Sequence, residues 1–566
     1  MEKEKVKQSP VEAGRAALRD LKEISAHASS FSNELLKKLI EDNKDTEYGK
    51  KLGFSNIGSV DDYRKAVPFT TYDDYAVYIQ RMTHGEKNLI TTYPIVHYAT
   101  TSGSVGVPKN IPVSDRTIKM YAKYTSNVAT ALIADYVEEK LDRPLRNGKR
   151  LLTAVVTQGT VADGTSKGSI SGKMYSAVRE LMSKVAASPK EVLYNTEKMN
   201  YKYLKAFYAL KEPNITVIAG PFSTAVFDLL SFIENNWQTL CNDIEKGLLS
   251  TEFEIPDHVR EKFDGDLVPD LERANELRSI FSEGFDEPFV RKVWPNLEYV
   301  NAIGAGGFVT YTKMLRRYTG DVPMTFCNYA ASEAMMAVVT QVESMEYTLI
   351  PEGGFYEFIP VDMEDCDEDY LREHTLLLNE LEVGKDYEIV ITNLSGFYRY
   401  RIGDVITVVG YEGESPKICF HYRRNQMISI AGEKTNEDCI RYVAEKVSER
   451  INIDIMDYSI YADQSVEPGR YHLLMEAKRH VPNAFLDECR DTAEEALSYA
   501  NPSYGSKIKD NILSPMLLNF VQPETYLLYR DIMLRKGISE NQIKPVRVID
   551  NPFKEKFFFG LIDREE

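Results

Sequence analysis

Four short stretches of this sequence combine residue types that can bind a phosphate, a planar base, a metal ion or a developing charge. The first, "YATTSGSVGVPKNIPVS" (98–114), sets Thr100, Thr101, Ser102, Gly103, Ser104 and Gly106 ahead of Lys109. Glycines let backbone N–H groups turn toward an anion, hydroxyls add donors and a lysine adds charge, so such a loop can cradle a polyphosphate. Its spacing is neither the Walker pattern G-x-x-x-x-G-K-[ST] nor a G-x-G-x-x-G fingerprint after a strand. A hairpin tip is the other reading of the same residues.

The second stretch, "NYAASE" (328–333), places an aromatic ring, two small residues and a carboxylate at a strand end. Tyr329 can stack on a purine and Glu333 can hold Mg²⁺, with Ala330 and Ser332 between them. The competing account is a helix start, with Ser332 as N-cap and Glu333 in the first turn. The third, "GFYRYRIGDVITVVG" (396–410), interrupts a β-run with Arg399, Arg401, Gly403 and Asp404. A carboxylate just after a glycine turn can accept two ribose hydroxyls; an edge hairpin with paired Arg and Asp is the alternative. The fourth, "ENQIKPVRVID" (540–550), fixes Lys544 before a proline on an extended segment, where a side chain can be aimed. Two further glycine clusters read differently: "GTVADGTSKGSISGK" (159–173) as a mobile loop with no assigned site, "IGAGGFVTY" (303–311) as a close backbone approach or a tight corner.

These stretches need a frame. Residues 14–50 carry Leu18, Leu21, Ile24, Leu35, Leu36 and Leu39 at helical spacing, and a long helix is expected after Ser114, a good N-cap. Short β-branched segments at 150–157, 214–220, 296–304 and 323–331 alternate with helices, which implies an α/β fold with parallel pairing. After about residue 345 strand follows strand, as for a small barrel-like subdomain. Helix and strand return from Lys434, where Thr435 and Asp438 resemble a capping box. The expected division is a large N-terminal domain, 1–425, and a smaller α+β C-terminal domain, 426–566.

At 566 residues the chain exceeds one hydrophobic core. A net charge of −18 argues against a generic nucleic-acid binder. No run of about 18 apolar residues predicts a membrane span. The charged start "MEKEKVKQ", the end "LIDREE" without a prenylation box, and six scattered cysteines without a CxxC pair fit a cytoplasmic protein, expected to be monomeric, with no disulfide framework or structural zinc.

Together the four stretches resemble the adenylate-forming superfamily, in particular the auxin-responsive acyl acid-amido synthetases, the plant hormone-conjugating enzymes and their bacterial relatives. "TSGSVGVPK" is similar to the superfamily's T-S-G-T-T-G-x-P-K loop, and "KNIP", "YAASE" and "GFYRYRIGD" follow in the family's order. "EGGFYEFIP", "RRNQMISIAGEKTNE" and "QIKPVR" are similar to further landmarks, so the resemblance spans roughly residues 15–550. Two departures stand out: Ser104-Val105 replaces two hydroxyl residues, and "QIKPVR" replaces Q-Y-K-T-P-R. The resemblance implies activation of a carboxylic acid by ATP and Mg²⁺ as an acyl-adenylate, then transfer to the amine of an amino acid. It implies that Thr101, Ser102, Gly103, Ser104 and Lys109 hold phosphates and that Tyr329, Ala330 and Ser332 flank adenine. Glu333 would bind Mg²⁺, Asp404 the ribose and Arg424 the nucleotide beside a hinge at 423–426, while Lys544 would neutralise charge at the α-phosphate. An acyl-CoA ligase and a non-catalytic nucleotide binder are the alternatives; the acidic "LDECRDTAEEAL" suits coenzyme A phosphates poorly.

Overall fold

The computed structural model describes residues 9–101, 109–154, 156, 158–194, 197, 199–264, 267–363, 366–424, 427–536, 538 and 543–563. It is an α/β protein with several sheets that clusters into two compact units. The described part of the first lies within 9–101, 109–402 and 406–419, that of the second within 403–405 and 420–563.

The helical stretch expected over 14–50 is three helices: Pro10–Ser25, Ala28–Asn43 and Glu47–Lys51. Strands β1 (Ile95–Thr101) and β2 (Lys109–Ser114) then form an antiparallel hairpin. Ser114 caps the following helix as expected, its hydroxyl accepting from Thr117 N at 3.2 Å. That helix is two, Asp115–Tyr124 and Ser126–Leu141, because Thr125 leaves helical geometry (φ −111°, ψ −115°).

The chain continues through β3 (Lys149–Leu152), β4 (Gln158–Thr160), β5 (Ser166–Gly168), β6 (Ile215–Phe222), β7 (Tyr299–Ile303) and β8 (Met324–Thr325). β3, β6, β7 and β8 make the parallel sheet that the alternation of strands and helices demanded. The stretch 159–173, expected as a mobile loop, is instead ordered as β4, a turn, β5 and the helix Ile170–Ala177, whose N-cap is Ser169. β5 pairs parallel with β1, so the sheet order there is β2-β1-β5-β4. The glycines at 303–311 turn the chain from β7 into the helix Val309–Thr319; a Cβ on Gly304 would lie 2.6 Å from Thr312 Oγ1, which fits the tight corner.

The strand expected over 323–331 is broken in two. β8 ends at Thr325, and β9 (Asn328–Ala330) belongs to a different, seven-stranded sheet. Cys327 makes the transfer at φ +43°, in the left-handed region. The remaining strands of that sheet are β10 (Met335–Val339), β11 (Tyr347–Leu349), β12 (Gly354–Pro360), β13 (Asp386–Asn393), β14 (Tyr400–Glu412) and β15 (Ser415–Arg423). Their order is β12-β13-β14-β15-β11-β10-β9.

The second unit is α+β. β16 (Ile455–Asp463), β17 (Arg470–Ala477) and β18 (Leu517–Val521) form a sheet, antiparallel between the first pair and parallel between the second. The helices Glu437–Ile451 and Leu486–Ala500 contribute Val443, Val447, Ala493 and Leu497 to its core. Asn436, not Thr435, caps the first of them, accepting from Cys439 N at 3.0 Å. An amide side chain reaches the N3 donor as well as a hydroxyl does.

Candidate active site

The hydroxyl-rich loop joins β1 to β2. Thr101 and Lys109 are cross-strand partners at the mouth of this hairpin, which brings both ends of the loop together. Ser102, Gly103, Ser104 and Val105 lie outside the described residues. Lys109 is exposed, with its ammonium 4.8 Å from the Tyr72 ring centroid. β1 is pinned from its other side. The His97 ring lies 3.0 Å from Ser166 Oγ and 3.1 Å from the Gly168 carbonyl, and burial pushes its pKa down to about 4, so the imidazole is neutral.

"NYAASE" is a hairpin turn and not a helix start. Ala331 and Ala334 exchange both backbone hydrogen bonds, 3.0 and 3.3 Å, leaving Ser332 and Glu333 as the two central residues between β9 and β10. Ala330 closes β9 opposite Met335. Three groups brace the turn. The Tyr121 hydroxyl meets the carbonyls of Ala331 and, at 3.2 Å, Ala334. Asn393 Nδ2 donates to the Glu333 carbonyl at 2.9 Å. The Tyr400 hydroxyl donates to Glu333 Oε1 at 3.3 Å. Tyr329 is buried on β9, its ring 6.3 Å from that of Tyr347. Two residues earlier, the Cys327 thiol meets Asn301 Oδ1 at 2.5 Å, and burial pushes its pKa up to about 12.

The arginines of "GFYRYRIGD" do not pair with Asp404. Arg399 is fully buried and forms a two-pronged ion pair with Glu357, 2.9 and 3.0 Å, while its other donors reach the carbonyls of Arg64, Val67 and Arg372. Arg401 likewise grips Glu388 at 2.6 and 2.8 Å. These cations hold the frame, because a buried charge must be paired and hydrogen-bonded. Asp404 is buried on β14, and Arg423 Nε donates to its Oδ1 at 2.5 Å. Arg424 follows at the end of β15 and is half-buried; Asn425 and Gln426 of the expected hinge lie outside the described residues.

Lys544 is exposed between anchors. Ile543, Val546 and Ile549 are buried in one apolar cluster, and Arg547 pairs with Asp457 at 2.5 Å and Glu437 at 2.8 Å. Ile460 N donates to the Arg547 carbonyl and Ile549 N to the Ile460 carbonyl, both at 2.9 Å, fixing the backbone along β16.

The family's own models match nearly the whole length. The GH3 family N-terminal domain matches residues 17–324, the central domain 347–423 and the C-terminal domain 437–552. The chain belongs to the GH3 family. Among relatives, indole-3-acetic acid-amido synthetase GH3.4 of Arabidopsis thaliana is 28% identical over 94% of this chain and 91% of its own. Jasmonoyl–L-amino acid synthetase GH3.5 of Oryza sativa subsp. japonica is 26% identical, covering 94% of each. The solved GH3.15 acyl acid amido synthetase superposes with a TM-score of 0.85 at 25% identity, covering 99% of this chain and 98% of that one. This GH3 protein is therefore an amino acid-conjugating ligase, an acyl acid-amido synthetase. Among the described residues no helix is long and apolar enough to cross a membrane.

Sequence reasoning missed Asn393, Tyr121 and Tyr400 as supports of the turn. Asn393 carried a signal, since it opens the stretch Asn-Leu-Ser-Gly and Asn readily forms Asx turns. Tyr121 and Tyr124 pack in the apolar cluster with Met335, Val338 and Ile350, with Met120 against it.

Proposed function

We propose that this enzyme works through an acyl-adenylate, with ATP and Mg²⁺, and that the residues above divide the work. A carboxylate is a poor electrophile because oxide would have to leave; joining it to AMP supplies a good leaving group. The loop between Thr101 and Lys109, with Ser102, Gly103 and Ser104, holds the phosphates of ATP. Tyr329, Ala330 and Ser332 flank the adenine, Asp404 accepts the ribose hydroxyls and Arg424 contacts the nucleotide.

The donor set fits Mg²⁺. Among the described residues no three His, Cys, Asp or Glu side chains gather into a protein-only metal cage. Mg²⁺ characteristically takes one or two carboxylates together with substrate phosphates and water, and Glu333 offers one carboxylate on a braced turn. The ion would supply charge neutralisation on the polyphosphate. Lys544 neutralises the charge that develops at the α-phosphate as pyrophosphate leaves. The amine of an amino acid then attacks the acyl carbon, and AMP departs. Residues 423–426 are proposed as the hinge of the cycle.

The observation that carries this reading is the Ser332–Glu333 hairpin turn, held by three side chains from separate elements in a chain that matches the family throughout. It is tested by mass spectrometry of products from mixed carboxylic acids, amino acids and ATP. An amide with AMP is expected; a coenzyme A thioester, or no product from any acid and amine, would overturn it.

A further inference from the structure

We infer that Tyr400 and Asn393 are positioning residues that fix the Glu333 carboxylate for its metal; the inference rests on the reading that Glu333 binds Mg²⁺. Tyr400 lies four residues before Asp404 on β14, and its ring is the end of a stack. Tyr75 lies against Phe397 with centroids 4.6 Å apart, and Phe397 against Tyr400 at 4.7 Å. Tyr75 is in turn fixed, its hydroxyl accepting from Tyr398 N at 2.8 Å and donating to the Tyr398 carbonyl at 3.1 Å. A ring locked in this way presents its hydroxyl at one place, and that place is Glu333 Oε1.

Asn393 ties the same two segments through the backbone. Its Oδ1 accepts from Ser395 N and Phe397 N, both at 2.9 Å, which shapes the turn leading to Tyr400, while its Nδ2 holds the Glu333 carbonyl. One buried amide thus sets both the residue that carries the carboxylate and the residue that orients it. Mg²⁺ demands near-ideal octahedral geometry, so a carboxylate held in one rotamer binds it better than one that samples several. Outer groups that orient a metal ligand typically carry a ten- to hundred-fold effect on metal affinity.

The test is calorimetric binding of α,β-methylene-ATP with and without Mg²⁺, in the wild type, Tyr400→Phe, Asn393→Asp and Glu333→Gln. Tyr400→Phe keeps the ring and removes only the hydroxyl. Asn393→Asp keeps acceptors for Ser395 and Phe397 and removes the donor to Glu333. Both are expected to cut the Mg²⁺-dependent gain in nucleotide affinity about ten-fold and to leave the Mg²⁺-free affinity within two-fold. Glu333→Gln should abolish most of the gain. If Glu333→Gln removes the gain and Tyr400→Phe leaves it intact, the positioning inference falls and the metal role stands. If Glu333→Gln leaves the gain intact, the metal role itself falls. If Tyr400→Phe weakens binding equally with and without Mg²⁺, the hydroxyl is structural and the inference is overturned.

Discussion

The Glu333 turn and the Lys544 segment hold charged groups in opposite ways. Around Glu333, Tyr121 and Asn393 grip the backbone and Tyr400 grips the carboxylate itself. At Lys544 the anchors Ile543, Val546, Arg547 and Ile549 fix the backbone from buried positions, and the lysine itself is an exposed residue. The difference matches the tasks proposed for them. A metal ligand must be in one geometry before the ion arrives, whereas a cation that neutralises transient charge needs reach and an always-available proton state.

This contrast is broken most severely by Arg399→Met. It takes from the buried carboxylate of Glu357 its two-pronged partner, leaving only Arg64 at 3.5 Å and the Thr375 hydroxyl at 2.6 Å, and should cost about 3 kcal/mol in urea unfolding. Lys544→Ala should do the reverse. Acid-dependent adenylation falls about 10²–10³-fold, and the urea midpoint stays where it was. A clear loss of stability would move Lys544 into the structural class.

The second unit offers a pH test. Glu476 on β17 accepts from Glu524 N and Tyr526 N at 3.0 Å, yet burial, the largest influence, pushes its pKa up to about 7. Its proton is therefore held more tightly folded than unfolded, so stability conferred at low pH is lost as pH rises from about 4.5 to about 7. Hydrogen exchange in β17 should quicken over that window, and Glu476→Gln should flatten the change. A smaller effect sharpens the local reading: Asn436→Ala should cost the second unit about 1 kcal/mol by urea titration, because it removes the helix cap.

Much of this was legible in the residues, for identifiable reasons. Alternation of β-branched runs with helices announces a parallel sheet, since parallel strands need crossovers, and β3, β6, β7 and β8 follow. The roles of Glu333, Asp404 and Lys544 come from the family resemblance and are proposals. What stayed hidden depends on partners distant in sequence. Ser-Glu after a strand serves a helix cap or a hairpin turn equally well, and only the pairing of β9 with β10 decides between them. An edge hairpin with paired Arg and Asp was the other reading of "GFYRYRIGD", but Glu357 and Glu388, on β12 and β13, pair with the two guanidiniums instead. The glycine- and serine-rich 159–173 read as loose because its order comes from β1, more than fifty residues earlier.

The central claim is that the acid is activated before the amine takes part. It is tested most directly by exchange of labelled pyrophosphate into ATP with Mg²⁺ and a carboxylic acid, in the absence of any amino acid. The account predicts acid-dependent exchange, lost in Lys544→Ala and Asp404→Ala, with AMP released once an amino acid is added. Exchange that requires the amine, or turnover that yields ADP and phosphate in place of AMP and pyrophosphate, would contradict it.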